Sequence, residues 1–357
     1  MTQTWAIFLE AYRSLNSKKL FWLVLILSGL VVASFAGVGI NEHGLKILVW
    51  QFDSDLFNSK QIPADQFYKG MFVQIGIGIW LAWLATILAL ISTAGIFPDL
   101  MSSGSIDLFV SKPISRLRLF LTEYAAGLLF AALQVTIFSA ACFLVLGLRG
   151  GVWEPGLFLA VPLVVCFFSY LFSVCVLAGV VTRSTVAALL LTLLFWFGIW
   201  AVGTTESTLL MFKTMRQQGV DFAAVQAEQH AGATITVKTR PSATEAPPND
   251  QQMASANKPS PEGSTALDVA HRIVYGIKTV LPKTSDTIEL LERALVKLAR
   301  LPQKPPSGPQ TQRMQAAQQE LIDILRGRSI AWVLGTSLGF EAVVLFGAAW
   351  IFCRRDY

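Results

Sequence analysis

Six stretches of this chain run for 17 to 25 residues in which apolar side chains dominate, and five of them contain no charged residue at all. They are Leu20 to Ile40, Met71 to Ile91, Tyr124 to Leu148, Leu157 to Val181, Val186 to Val202 and Ile330 to Cys353, the last carrying the single acid Glu341. A helix rises 1.5 Å per residue and the hydrocarbon core of a bilayer is about 30 Å thick, so about 20 such residues cross it. Such runs satisfy their own backbone hydrogen bonds only as helices, because barrel strands are short and alternate in polarity. The chain therefore reads as an all-α polytopic membrane protein with six transmembrane helices. With 54% hydrophobic and 14% charged residues and a mean hydropathy of +0.55, a soluble fold has no place to put these runs.

Basic residues flank the spans unevenly. Arg13, Lys18, Lys19, Lys112, Arg116, Arg118, Arg183, Arg354 and Arg355 fall on one side if all six runs cross, against Lys46, Lys60, Lys69 and Arg149 on the other. The bias predicts that both termini are cytoplasmic. Arg326 and Arg328, before the last span, run against it, although long connections are a weak signal. Residues 1–19 read as a cytoplasmic interfacial helix, because Trp5, Phe8, Leu9 and Tyr12 recur at helical spacing; an extension of the first span is the alternative. Residues 20–202 hold spans 1 to 5, and residues 329–357 hold the sixth span and a cytoplasmic tail. Asn41 to Gly70 reads as a solvated outer loop.

Residues 203–328 are the polar exception. Ten of the fifteen prolines lie there, so no continuous helix fills it. The segment 239–265 is too polar to offset chain entropy and is expected to be disordered. Around it Thr204 to Glu228 is expected to extend the fifth span, and Ala266 to Val280, Ser285 to Leu301 and Thr311 to Leu325 show helical periodicity. The region reads as an extracytoplasmic, partly disordered helical insertion, either a contact surface for a partner or substrate or a variable insertion.

Catalytic signatures are missing. No GxxxxGK[ST], HExxH or GxSxG occurs, and the four cysteines and three histidines suggest neither a disulfide framework nor a metal site. No basic cluster interleaved with aromatics points to nucleic acid; the flanking basic residues suit lipid headgroups. Glu341 is the residue that demands a reason, since an isolated carboxylate within a span is costly. It is a candidate pore-facing or coupling acid, or else a packed and hydrogen-bonded one. Gly335 and Gly339 beside it form a small-xxx-small pattern that would let another helix approach closely.

The connection from Thr93 to Leu129 reads TAGIFPDLMSSGSIDLFVSKPISRLRLFLTEYAAGLL. Pro113 to Arg116 there, Leu281 with Pro282 before the last span, and the closing Phe352, Arg354, Arg355 and Asp356 together resemble the ABC-2 type transporter permeases, in particular their six-span NosY-like and gliding-type branch. The chain departs from that pattern in carrying Thr122 and Glu123 where the family commonly has a Lys, and in its long insertion. The resemblance implies a permease subunit of an ATP-driven transporter, more an exporter than an importer, in a bacterial inner membrane. By that resemblance the chain is not itself an enzyme and binds no cofactor. ATP and Mg would sit on a separate cytoplasmic ABC ATPase, and a second permease subunit, identical or homologous, would complete the pathway. Asp99, Asp107, Pro113, Arg116 and Arg118 would form the coupling surface for the ATPase. A membrane scaffold or assembly protein that binds an extracytoplasmic partner without transport is the alternative.

Overall fold

The computed structural model of the chain describes residues 19–41, 44–47, 50–53, 64–101, 115–151, 153–219, 261–296 and 309–354. It divides into two units: Met1–Trp200 with Leu281–Leu301 and Ile330–Tyr357, and Ala201–Val280 with Pro302–Ser329. The expected interfacial helix before Lys19 lies outside the described residues.

In the first unit, α1 (Lys19–Gly37) leads into a three-stranded antiparallel sheet of β1 (Val38–Asn41), β2 (Gly44–Ile47) and β3 (Trp50–Asp53). Val38 pairs with Ile47, and Ile47 in turn with Trp50. This sheet corrects two expectations. The outer loop is partly strand, and the first apolar helix ends at Gly37 instead of reaching Ile40. Its apolar part, Phe21–Gly37, is 17 residues long, about 25 Å, whereas five other helices are long and apolar enough to cross a membrane. Two glycines, Gly37 and Gly39, bracket β-branched Val38, a composition that favours leaving the helix for an extended conformation.

The next span, Phe67–Leu100, is built from α2 (Ala64–Met71), a π-helix π1 (Phe72–Ala85), α3 (Thr86–Thr93) and, after a turn at Ala94 and Gly95, the short α4 (Ile96–Leu100). A π-helix of 14 residues is unusual, since such coils occur mostly as single turns. Thr86 Oγ1 donates to the Leu81 carbonyl five residues back, 2.8 Å away, at the point where the wide coil reverts to α.

Helix α5 (Arg116–Gly150) starts where the Ser115 side chain accepts from the Arg118 amide and stops at Gly151, whose φ of 68° a side chain would disfavour. A 3-10 turn, Pro155–Leu159, leads into α6 (Ala160–Thr182), followed by α7 (Thr185–Gln217) and, at the chain's end, α11 (Ile330–Arg354). Pro162 falls in the first turn of α6, where its missing amide hydrogen is not needed. Helix α6 is the centre of this unit. It packs against α4, α5 and α11, and its residues Phe167, Phe168, Tyr170, Leu171 and Phe172 are all buried. The helix of the fifth apolar run continues past Val202 to Gln217.

Residues 203–328 do not stay together. Helix α9 (Thr284–Val296) lies within the first unit, packed on α6, π1 and α11 with Ile288, Leu290 and Leu291 buried. Helices α8 (Pro261–Val280) and α10 (Pro309–Arg326) belong to the second unit. Helix α8 begins inside the segment 239–265, so Pro261 to Thr265 are helical where composition predicts disorder; residues 239–260 lie outside the described ones. Within the second unit Glu206 is fully buried and bonded to Lys278 Nζ at 2.7 Å and to Arg328. Arg328, the charge that opposes the orientation rule, thus has an acid as its partner.

Candidate functional site

Two places in the first unit carry the residues singled out from sequence. One is the end of the bundle where α4, the start of α5 and the finish of α11 meet. Phe97, Phe120 and Phe352 form a closed aromatic cluster there, with centroid separations of 4.9, 5.7 and 6.4 Å, and all three are buried. Pro98 seats against Gly179 of α6, where an added Cβ would lie 3.3 Å from Pro98 Cδ. The short α4 is therefore held by three helices at once.

Around this clamp lie the polar candidates. Asp99 is exposed on α4, with its amide donating to the Gly95 carbonyl and its carboxylate folded back over Gly95. Arg116 is exposed and its Nη1 donates to the Cys353 carbonyl at 3.3 Å, tying the start of α5 to the last turn of α11. Arg118 is half-buried, and its amide takes the Ser115 cap. Arg354 stacks over Trp350 at 3.8 Å from the ring centroid, and Arg183 ends α6 in a left-handed conformation with φ 55°. Asp107 and Pro113 lie outside the described residues.

The second place is Glu341, buried on α11. Tyr124 Oη of α5 donates to Glu341 Oε1, and Ser169 Oγ of α6 donates to Oε2, each at 2.7 Å. Each hydroxyl also has a second acceptor in reach: the Ser169 carbonyl for Tyr124 at 3.2 Å, and the Cys166 carbonyl for Ser169 at 2.8 Å. A hydroxyl has one proton to give, so each must choose between the carboxylate and a helix carbonyl. Rotation of two hydroxyls alone rearranges the cluster. Its geometry is fixed from behind, since the Tyr124 ring stacks on Phe172 with centroids 5.2 Å apart and Phe172 occupies the space a Cβ on Gly127 would need, 2.6 Å away.

The polar strip continues along α11. Ser337, one turn before Glu341, accepts from the Lys283 amide at 2.9 Å, and Lys283 Nζ donates to Thr336 Oγ1 at 2.6 Å while lying 4.2 Å over the Trp332 ring. Tyr170 is buried, with the Thr287 and Ser337 hydroxyls near its own. Gly335 and Gly339, by contrast, are exposed, and nothing lies within 4 Å of a Cβ added at either. They are not points of close helix approach among the described residues.

Sequence reasoning found Glu341 but neither of its donors. A Tyr and a Ser within apolar spans are too common to announce themselves; the one usable signal is that a buried acid demands donors from other helices. Among the described residues no group of three or more His, Cys, Asp or Glu could hold a metal ion. No family model, curated protein or solved structure matches this chain. Its own residues support the statement that it is a polytopic, predominantly α-helical membrane protein, with five helices among the described residues long and apolar enough to span a bilayer and one shorter apolar helix.

Proposed function

We propose that the chain is the permease subunit of an ATP-driven ABC-2 type exporter in a bacterial inner membrane, driven by a separate cytoplasmic ABC ATPase and paired with a second permease subunit. The observation that carries this reading is the clamped α4. A short helix at one end of the bundle, packed through Phe97 and Pro98 onto α5, α6 and α11, can pass a push from outside the membrane to the helix that bears Glu341. A plain interfacial loop has no need of such fixation.

Charge distribution supports the same orientation. The α4 end gathers Arg116, Arg118, Arg183 and Arg354, while at the opposite end Lys69 is neutralised by Glu154 at 3.3 Å. Both termini are then cytoplasmic.

Purification of the tagged full chain from its native membranes tests the proposal. A nucleotide-hydrolysing subunit should come with it, and Arg116→Glu should lower the lipid-stimulated ATPase activity of the complex without reducing membrane insertion. Arg116→Lys, which keeps the charge, should retain more activity. Absence of any ATPase from the purified complex, or full activity in Arg116→Glu, rejects the reading. The scaffold alternative draws support from the second unit, which is a packed helical body of its own around buried Glu206. It expects a stable partner other than an ATPase in the same purification.

A further inference from the structure

We propose that an ordered water molecule is bound inside the first unit, where it bridges α1, α3 and α5 through Ser28, Thr86 and Gln134. All three residues are buried, and they line a cavity with about 20 Å³ of room for the centre of a water molecule. Measured in that way, about 10–15 Å³ suffices for one water, so the space takes one and little else.

The amide of Gln134 is the group that calls for a ligand. Gln134 is 9% exposed, and its buried Nε2 meets no hydrogen-bond acceptor among the described residues. It lies near the midpoint of α5, a helix long and apolar enough to cross a bilayer, where the surrounding lipid offers nothing to bond with. Leaving such a donor unmade costs more than holding one water still. Cavities walled only by apolar side chains stay dry, but this wall carries an amide and two hydroxyls.

The donors and acceptors balance. Thr86 Oγ1 gives its proton to the Leu81 carbonyl, 2.8 Å away, and so faces other groups only as an acceptor. A water accepts from Gln134 Nε2 and donates to Thr86 Oγ1. It keeps one proton and one lone pair, and the Ser28 hydroxyl can meet either. Its three partners come from three helices, within the two to four that buried waters use. Leu81 and Ala85 line the same cavity, so the water lies beside the turn at which π1 reverts to α. There it occupies the acceptor side of the hydroxyl that takes up the Leu81 carbonyl. The rival arrangement is a rotation of Gln134 that bonds its amide directly to Thr86 or Ser28, and it leaves the cavity dry.

Phe138 and Phe168 line the cavity and are buried, so their rings report on what it holds. The purified full chain in detergent is mixed briefly with heavy-oxygen water and irradiated with X-rays, and hydroxylation of each ring is read by mass spectrometry. Radicals formed from a trapped water label the rings beside it. At least one of the two rings should be hydroxylated despite its burial, and should take up heavy oxygen more slowly than the exposed Trp50. Gln134→Leu, which keeps the bulk and removes the amide, should lose that labelling. Ala131→Val should lose it too, because Ala131 lines the cavity and the added methyl groups fill the space while the amide stays. Unchanged circular dichroism and unchanged labelling of Trp50 show that a variant is folded, and either variant alone suffices for the test. Absence of labelling from both rings in the parent chain, labelling that survives in a folded variant, or heavy-oxygen uptake as fast as at Trp50 overturns the proposal. None of these readouts involves ATP or transport, so the permease reading stands or falls separately.

Discussion

Glu341 and Glu206 are both buried acids on long apolar helices, yet the first is held by two neutral hydroxyls, Tyr124 and Ser169, and the second by two cations, Lys278 and Arg328. The cationic solution is stiff: Lys278 and Arg328 converge on one carboxylate, and removal of Glu206 takes the negative charge from between two cations in a poorly solvated place. The hydroxyl solution is permissive. Tyr124 and Ser169 each keep a helix carbonyl as a second acceptor, so the Glu341 cluster can change its bonding while nothing larger moves. Burial alone therefore says little about how an acid is held; the chemistry of its donors separates a rigidly paired carboxylate from one whose hydrogen bonds can be exchanged.

The widest gap between the two should appear on truncation. Glu206→Ala leaves Lys278 and Arg328 without their acid and should cost about 3–5 kcal/mol, read as a large fall in the melting temperature of the purified chain. Replacing all three residues together with apolar side chains should recover much of that loss, and failure to recover would show that the triad is not the source. Glu341→Ala leaves only two hydroxyls, each with a carbonyl to turn to, and should cost about 1–3 kcal/mol. If it proves as damaging as Glu206→Ala in the same melting experiment, the permissive picture of the Glu341 cluster is wrong.

Gly127→Ala sharpens the comparison from the packing side. Its Cβ would meet Phe172 at 2.6 Å, and the overpacking should cost about 1–3 kcal/mol while displacing the Tyr124 ring stacked on Phe172. Combined with Glu341→Ala the two losses should be less than additive, which a double-mutant cycle measures. The smallest effect belongs to an exposed pair in the second unit. The Lys213 hydrogen bond and charge hold the Asp268 carboxyl below its ordinary value, so whatever stability it adds is present above that ordinary value and is lost as pH falls through the lowered one. Asp268→Asn should leave the melting temperature at neutral pH nearly unchanged and flatten only the acid limb of the stability curve.

Legibility in the sequence followed the range of the physics. Five of the six spans, Glu341 and the periodic helices around Ala266, Ser285 and Thr311 could be read directly, because each depends on residues within a few turns. The stop of α1 at Gly37 could not, since Val38 leaves the helix to pair with Ile47 in a strand that composition disguised as loop. Helix α9 shows the same limit: its apolar face is plain, but nothing local says that Ile288 and Leu291 bury it against the membrane helices and not against its sequence neighbours.

What the sequence by itself determined is that this chain lives in a bilayer, because transfer of a long charge-free segment out of water is a sum over its own residues. Only the tertiary structure decided which hydroxyls meet Glu341, which cations meet Glu206, and that Ser28, Thr86 and Gln134 line one cavity. Those meetings depend on how helices far apart in the chain are rotated and shifted against one another, and that is fixed by packing, which no single segment contains.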